Sequence, residues 1–178
     1  MNTTFRCAPY LVAMTIVVIG TLVSASEPAG PRALLELPNQ RQPAAAFVLK
    51  NATGKPVQLQ DYRGKIVLLD FWATWCHGCK EEIPWFAEFQ RSYGEKGFAV
   101  VGVSLDDDGW KVVTPFVKSA SIPYEILLGN EKTAKDYGIS SMPDTFLIDR
   151  EGRVAARYAG VVDKADVEKN IQNLLNQN

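Results

Sequence analysis

The chain has 178 residues, of which 47% are hydrophobic and 22% are charged, and its formal net charge is −1 at pH 7. This length fits one ordinary domain of about 100–150 residues with a short appendage. The composition excludes a disordered chain, and the near-neutral charge gives no electrostatic reason to expect nucleic acid or an acidic surface as a partner.

The first 25 residues have the three parts of a secretory signal. Arg6 is the only charged side chain among residues 1–9, residues 10–23 form an uncharged apolar run, and small residues ending at Ala25 offer a cleavage site. The apolar run is short compared with the ~20 residues that cross a bilayer. We therefore predict that residues 1–25 form a signal peptide or, if it is retained, a membrane anchor, and that the rest of the chain is exported.

The cysteine pattern indicates chemistry rather than stabilisation. Cys7 precedes the apolar run and would be lost with a cleaved signal, which leaves Cys76 and Cys79. A disulfide that closes so short a loop would stabilise the fold by only about 2 kcal/mol. An exported domain of roughly 150 residues has a core of its own and does not need such a staple.

The next segment differs from the rest of the mature chain. Residues 26–43 carry four prolines with polar residues between them. Proline blocks regular backbone pairing and biases its neighbour away from helix, which predicts an extended tether. We assign residues 44–178 to one domain.

Hydrophobic patterning in this domain alternates between strand and helix. We predict strands at 47–49, 57–59, 66–71, 98–103, 124–128, 145–148 and 154–158, and helices at 80–93, 110–119, 133–137 and 163–175. Pro84 should kink its helix or lie near the first turn, and Asp107 or Asp108 should cap the helix that follows. These elements imply an α/β fold, with a mixed central sheet, helices on both faces and an N-terminal β-hairpin extension.

The segment DFWATWCHGCK, residues 70–80, carries the clearest chemical signal. It places Cys76 directly after a buried strand and at the start of a helix, where the helix dipole lowers a thiol pKa. A Cys76 thiolate could attack a partner disulfide, and Cys79 could then resolve the mixed disulfide. A zinc site would need two further ligands, but His77 is the sole histidine, so we predict no metal.

Three motifs resemble the thioredoxin superfamily, and within it the TlpA/ResA-like exported thiol–disulfide oxidoreductases. They are FWATWCxxC after an apolar strand, EIP at residues 82–84, and SMPDTFLIDREGRV at residues 141–154. The likeness runs from about residue 43 to the C-terminus. It implies a thioredoxin-like fold, a redox-active Cys76–Cys79 disulfide with no other cofactor, protein thiol or disulfide substrates, and a place in the periplasm or at the outer face of the inner membrane.

The resemblance also implies roles for individual residues. Cys76 matches the nucleophile and Cys79 the resolving cysteine. Pro143 matches a cis-proline that lies against the disulfide, and Met142 would lie over the sulfurs. Trp75 is a candidate for contacting a substrate.

Two acids are further candidates for catalysis. Asp70 matches a buried acid that takes the proton of the resolving cysteine, a role for which burial would raise its pKa. Glu82 matches a glutamate near the active site. The alternative for each is an ordinary solvated carboxylate, at a strand edge or on a helix surface.

The sequence departs from these relatives at three positions. Gly78 stands where proline is common, which suggests a looser helix start. His77 is a further candidate for binding a substrate, and its cation would favour the Cys76 thiolate and a more oxidising disulfide. Asp144 stands where threonine is common, which would place a negative charge near the substrate groove. These departures leave the redox direction open.

Several functions follow from these residues. The first is a disulfide reductase of the cytochrome c maturation type, supplied with electrons by a membrane donor. A disulfide oxidase or isomerase is the alternative within the same chemistry. A non-catalytic chaperone or Cu(I)-binding module could use Cys76, Cys79, His77 and Met142 as soft ligands. Peroxide reduction fits poorly, because Thr74 lies two residues before Cys76 and peroxiredoxins carry Thr-x-x-Cys.

Overall fold

The computed structural model describes Met1 and residues 30–177. The predicted signal or anchor therefore lies outside the described residues, apart from Met1, and the division of the chain at residue 25 stays a prediction. Within the described part, no helix combines the length and apolar character needed to cross a membrane.

Seven strands form one mixed sheet in the order β2-β1-β5-β4-β3-β6-β7. The strands are β1 (Val48–Asn51), β2 (Pro56–Gln58), β3 (Ile66–Trp72), β4 (Phe98–Ser104), β5 (Glu125–Leu128), β6 (Asp144–Ile148) and β7 (Val154–Ala159). β4 runs parallel to both β3 and β5, whereas every other pairing is antiparallel. β3 and β4 are buried along their whole length because both faces of the central sheet are covered.

Helices cover both faces, as predicted. The four α-helices are α1 (His77–Tyr93), α2 (Trp110–Ser119), α3 (Glu131–Asp136) and α4 (Lys164–Leu175). One core lies between the sheet and α1, α2 and α4, and includes the even-numbered β3 residues Leu68 and Trp72. The other core faces the β1–β2 hairpin and Tyr137, which follows α3, and includes the odd-numbered Leu69 and Phe71. This alternation along β3 directs Asp70 toward α1.

α1 and α3 begin earlier than predicted, and the cap of α2 differs from the prediction although α2 itself begins at Trp110 as predicted. α1 begins at His77 rather than near residue 80, because Cys76 is its N-cap. Pro84 consequently lies inside α1, beyond its first turn. The prediction that Asp107 or Asp108 caps α2 is wrong: Gly109 occupies the N-cap with φ 56° and no side chain caps the helix. α3 begins earlier than predicted, at Glu131, because the Asn130 side chain caps it.

The described part of the predicted tether has no helix, turns at residues 38–40 and is hydrogen-bonded to the domain. Glu36 N donates to Ala155 O at 2.8 Å, which attaches this segment to β7. Arg41 is buried and lies 3.2 Å from the carboxylate of Asp149, in the turn between β6 and β7. Residues 30–43 therefore form part of the folded unit rather than a free linker.

Candidate active site

Cys76 and Cys79 lie where β3 ends and α1 begins. Their sulfur atoms form a disulfide of 2.03 Å, and Cys79 N donates to Cys76 Sγ at 3.2 Å. Cys79 is fully buried, whereas Cys76 keeps 6% of its surface exposed. The helix N-terminus and this amide stabilise negative charge on Cys76, so Cys76 is the sulfur suited to attack an external disulfide.

The outer surface of the site is formed by exposed side chains next to Cys76. Trp75 is 67% exposed, which is unusual for so large an apolar residue. The His77 side chain is 92% exposed, and its Nε2 lies 3.6 Å from Glu81 Oε1. This contact is an exposed ion pair only when His77 is protonated, and solvent screens it.

The loop before β6 packs against the cysteine motif from the other side. The Met142–Pro143 peptide bond is cis, as the resemblance implied. Met142 is half-buried and packs against the core cluster that contains both cysteines. The loop after β7 joins them, because Gly160 N donates to Pro143 O at 2.9 Å.

Gly78 is tightly packed rather than loose. A Cβ atom built on this residue would lie 2.6 Å from Val161 Cγ2 and 3.4 Å from Pro143 Cδ. The Val161 side chain therefore occupies space beside the backbone of the cysteine motif, and only glycine fits without displacing it. Val161 belongs to no sequence motif, so the sequence analysis did not identify it. The glycine at position 78 was the one signal that a neighbouring side chain packs closely there.

Asp70 is buried behind the disulfide, on the α1 side of the sheet. Only 1% of its surface is exposed, and Thr145 Oγ1 donates to its Oδ1 at 3.3 Å. Its Oδ2 atom has no hydrogen-bond partner among residues 30–177. Burial raises the pKa of Asp70, the negative charge of Asp144 adds to the rise, and the Thr145 hydrogen bond opposes it.

Glu82 lies one helical turn after Cys79 and is also buried. Val162 N donates to Glu82 Oε1 at 2.7 Å, whereas Oε2 has no partner within the described chain. Burial raises its pKa, and the charge of Asp70 raises it further. Neither acid is thus a solvated surface carboxylate. Because each disfavours ionisation of the other, the pair can hold and release a proton near neutral pH.

Comparison with known proteins identifies the family. Residues 41–157 match the AhpC/TSA family. The chain belongs to the AhpC/TSA family of the thioredoxin superfamily.

Two relatives and one solved structure are similar to this AhpC/TSA-family protein over most of its length. The thiol-disulfide oxidoreductase ResA of Bacillus thuringiensis is 33% identical, over 74% of this chain and 76% of the relative. The thioredoxin-like protein YneN of Bacillus subtilis is 34% identical, over 73% of this chain and 77% of the relative. A crystal structure described as a thiol:disulfide interchange protein DsbE of Chlorobium tepidum has a TM-score of 0.72 and 36% identity, over 76% and 96% of the two chains. With the Cys76–Cys79 disulfide, these likenesses show that the protein is a thiol–disulfide oxidoreductase of the ResA/DsbE type.

Asp106 is a residue of the site that sequence reasoning missed. Its carboxylate accepts hydrogen bonds from Thr74 N at 2.9 Å, Thr74 Oγ1 at 2.6 Å and Ser104 Oγ at 2.8 Å. It therefore fixes the loop that leads into Cys76. The signal was available in principle, because β3 and β4 are parallel neighbours and residues that follow them meet at one edge of the sheet.

The expectation that Asp144 brings negative charge to the substrate groove is wrong. The side chain is 2% exposed and forms an ion pair with Arg157, with an Nη2–Oδ2 distance of 2.6 Å. The reason is strand alternation, since Asp144 and Phe146 point to the sheet face opposite Thr145. Arg157 also donates to Gly138 O at 2.8 Å, which secures the loop that precedes Pro143.

Metal ligands are sparse in the part of the chain that the structure describes. No cluster of three or more histidine, cysteine, aspartate or glutamate side chains is placed there to hold an ion. The two sulfurs and the half-buried Met142 are the soft donors at the site, so Cu(I) binding stays a prediction for the reduced protein.

Proposed function

We propose that this oxidoreductase is a disulfide reductase that acts on protein cysteines in the cell envelope. Its substrates on this proposal include the cysteines of apocytochromes c before haem attachment, as for the TlpA/ResA-like proteins that it resembles. The predicted signal or anchor in residues 1–25 would deliver the domain to the periplasm or to the outer face of the inner membrane. Because such a compartment is kept oxidising, a membrane partner must supply two electrons per cycle.

The reaction requires two consecutive exchanges. In the reduced protein, the Cys76 thiolate attacks a substrate disulfide, forms a mixed disulfide and releases one substrate sulfur as a thiolate, which takes up a proton. The acid pair Asp70–Glu82 accepts the proton of Cys79, whose thiolate then attacks Cys76 Sγ. This step breaks the mixed disulfide, releases the second substrate thiol and leaves the Cys76–Cys79 disulfide for the donor to reduce.

The buried acid pair is the observation that carries the reducing direction. A disulfide is strongly oxidising when the protein stabilises its reduced, thiolate form. The pair can carry a negative charge behind the motif when one member is ionised, and that charge opposes thiolate formation. At the surface, Glu81 lies 3.6 Å from His77 and offsets part of the charge of that side chain when it is protonated. Both effects lower the stability of the thiolate form and so favour a reducing potential.

Insulin reduction tests the proposed activity and its order of steps. Cys76→Ser should abolish catalysed reduction, and Cys79→Ser should instead accumulate a mixed disulfide with substrate because nothing resolves it. Cys7→Ser is the matched control and should retain the parent rate, since Cys7 precedes the described domain. Full insulin reduction by Cys76→Ser would contradict the proposal.

The position of Cys76 at the N-cap favours one alternative, a disulfide oxidase or isomerase. The Cys79 amide and the helix dipole stabilise a Cys76 thiolate, as in strongly oxidising relatives of this fold. Such a protein would oxidise reduced, unfolded ribonuclease stoichiometrically and would reactivate it. A reductase would leave that substrate reduced while it turns over insulin.

A further inference from the structure

We propose that the groove between α1 and the end of α2 docks an apolar, acid-flanked segment of the protein that exchanges with Cys76. This inference rests on the proposed function, because the partner is a protein substrate or electron donor. The groove has a volume of about 460 Å³ and begins at Lys80, the residue after Cys79. A partner bonded at the cysteine motif would reach it directly.

The floor of the groove is apolar. Ile83 and Ala87 of α1 form its inner part, and Phe116 of α2 lies half-buried opposite them. α2 buries only Val113 completely, so its remaining apolar side chains are covered in part. The groove therefore presents hydrophobic surface that a bound segment would remove from water.

Two cations line the groove, and the Nζ atom of one of them, Lys80, lies over the Phe116 ring at 5.8 Å from its centroid. Lys80 and Arg91 both line it, and its lining contains no acidic side chain. The acids of α1 point elsewhere: Glu81 faces His77, and Glu88 pairs with Lys164 at 2.7 Å. Within residues 30–177, neither groove cation has a carboxylate at ion-pair distance, which makes acidic groups the complementary ligand.

Two backbone features lie on the same groove. Pro84 has no N–H, so the Lys80 carbonyl lacks the helical donor that position 84 would normally supply. Ser121, at the rim, has φ 51° and is the one non-glycine residue in the described chain with a positive φ. Left-handed backbone is unfavourable for serine, and such strained positions concentrate at binding and functional sites.

The spacing of the cations sets the length of the ligand. From Lys80 to Arg91 the helix rises about 16 Å, which matches about five residues of extended peptide. The preferred segment thus carries two acidic residues about five positions apart, with apolar residues between them.

A cysteine-free peptide tests this docking site without relying on redox turnover. We would titrate ¹⁵N-labelled, full-length protein with a six-residue peptide that has aspartate at both ends and small apolar residues between, and with the same peptide carrying lysine at both ends. The aspartate peptide should shift the amide signals of Lys80, Ala87 and Ala120, and the lysine peptide should not. Arg91→Glu should weaken binding about threefold or more, as expected for a lost exposed ion pair.

Two further variants separate the groove from general charge effects. Lys169→Glu, on the exposed side of α4, makes the same charge change away from the groove and should leave the affinity unaltered. Ala120→Trp should fill the groove and abolish binding. Equal binding of both peptides, shifts that map elsewhere, or an affinity unchanged in both groove variants would overturn the proposal. The proposal would also be overturned if no peptide bound and the protein instead formed a dimer that Ala120→Trp dissociates. Failure of the proposed reductase activity would appear separately, in the insulin assay.

Discussion

Asp106→Ala tests whether the active-site loop is held by a single carboxylate. The substitution removes the acceptor of three donors and leaves the backbone N–H of Thr74 without its partner. A hydrogen bond to a charged group contributes about 1.5–3 kcal/mol, but two of these donors are hydroxyls that can turn to other acceptors. We therefore expect a loss of about 2–4 kcal/mol in the free energy of unfolding, which a typical domain survives.

The loss is measured by urea unfolding of the oxidised protein, with Asp108→Ala as the matched control. Asp108 belongs to the same acidic run but is exposed, so its removal should change the unfolding free energy by less than about 0.5 kcal/mol. The reduced Asp106→Ala protein should also alkylate more slowly at Cys76 near pH 6, because a loosened loop holds the thiolate less firmly at the helix N-terminus. Equal stability of the two variants, with unchanged alkylation, would refute this reasoning.

Three other predictions concern the interior of the site. Gly78→Ala should destabilise the oxidised protein by about 1–3 kcal/mol, because the added Cβ clashes with Val161. Adding Val161→Ala should restore most of the lost stability in thermal or urea unfolding. If the double variant were no more stable than Gly78→Ala, the strain would lie elsewhere. Burial raises the pKa of Asp70, so the stability that its protonated form contributes is complete below about pH 4 and is lost as pH rises through the folded pKa. Asp70→Asn should flatten this fall in the free energy of unfolding with pH, and an unchanged pH profile would contradict the prediction. Glu82→Gln should slow the attack of Cys79 on the mixed disulfide while leaving the first attack by Cys76 unchanged, and rapid-quench trapping would measure both steps. Equal slowing of both steps would indicate a structural role instead.

The sequence was sufficient for the fold and for the centre of the site. Continuous apolar runs identified β3 and β4, and the cysteine motif after β3 indicated that a helix starts there, although the predicted helix began near residue 80 rather than at His77. Asp70 could be identified as a candidate because an acidic side chain is unusual within the apolar run of a buried strand. The family resemblance then supplied Pro143 and Glu82, which spacing alone would not have marked.

What the sequence did not reveal depends on contacts between distant segments. Asp106 lies 32 positions from Thr74, and its role depends on the parallel pairing of β3 with β4. The sequence predicted that Asp144 lies near the substrate groove, but strand alternation turns its side chain to the opposite sheet face, where it forms a buried ion pair with Arg157. Likewise, proline content predicted an extended segment before residue 44, but it could not predict that Arg41 would be buried against the turn between β6 and β7.

The reduction potential of the Cys76–Cys79 pair tests the central claim most directly. The full-length protein would be equilibrated in thiol–disulfide redox buffers, and the oxidised fraction measured after acid quenching and alkylation. A reductase supported by the buried acid pair should have a potential near that of thioredoxin, about −270 mV. A value close to that of the oxidant DsbA, about −120 mV, would mean that the helix N-terminus and His77 dominate, and would contradict the proposed direction.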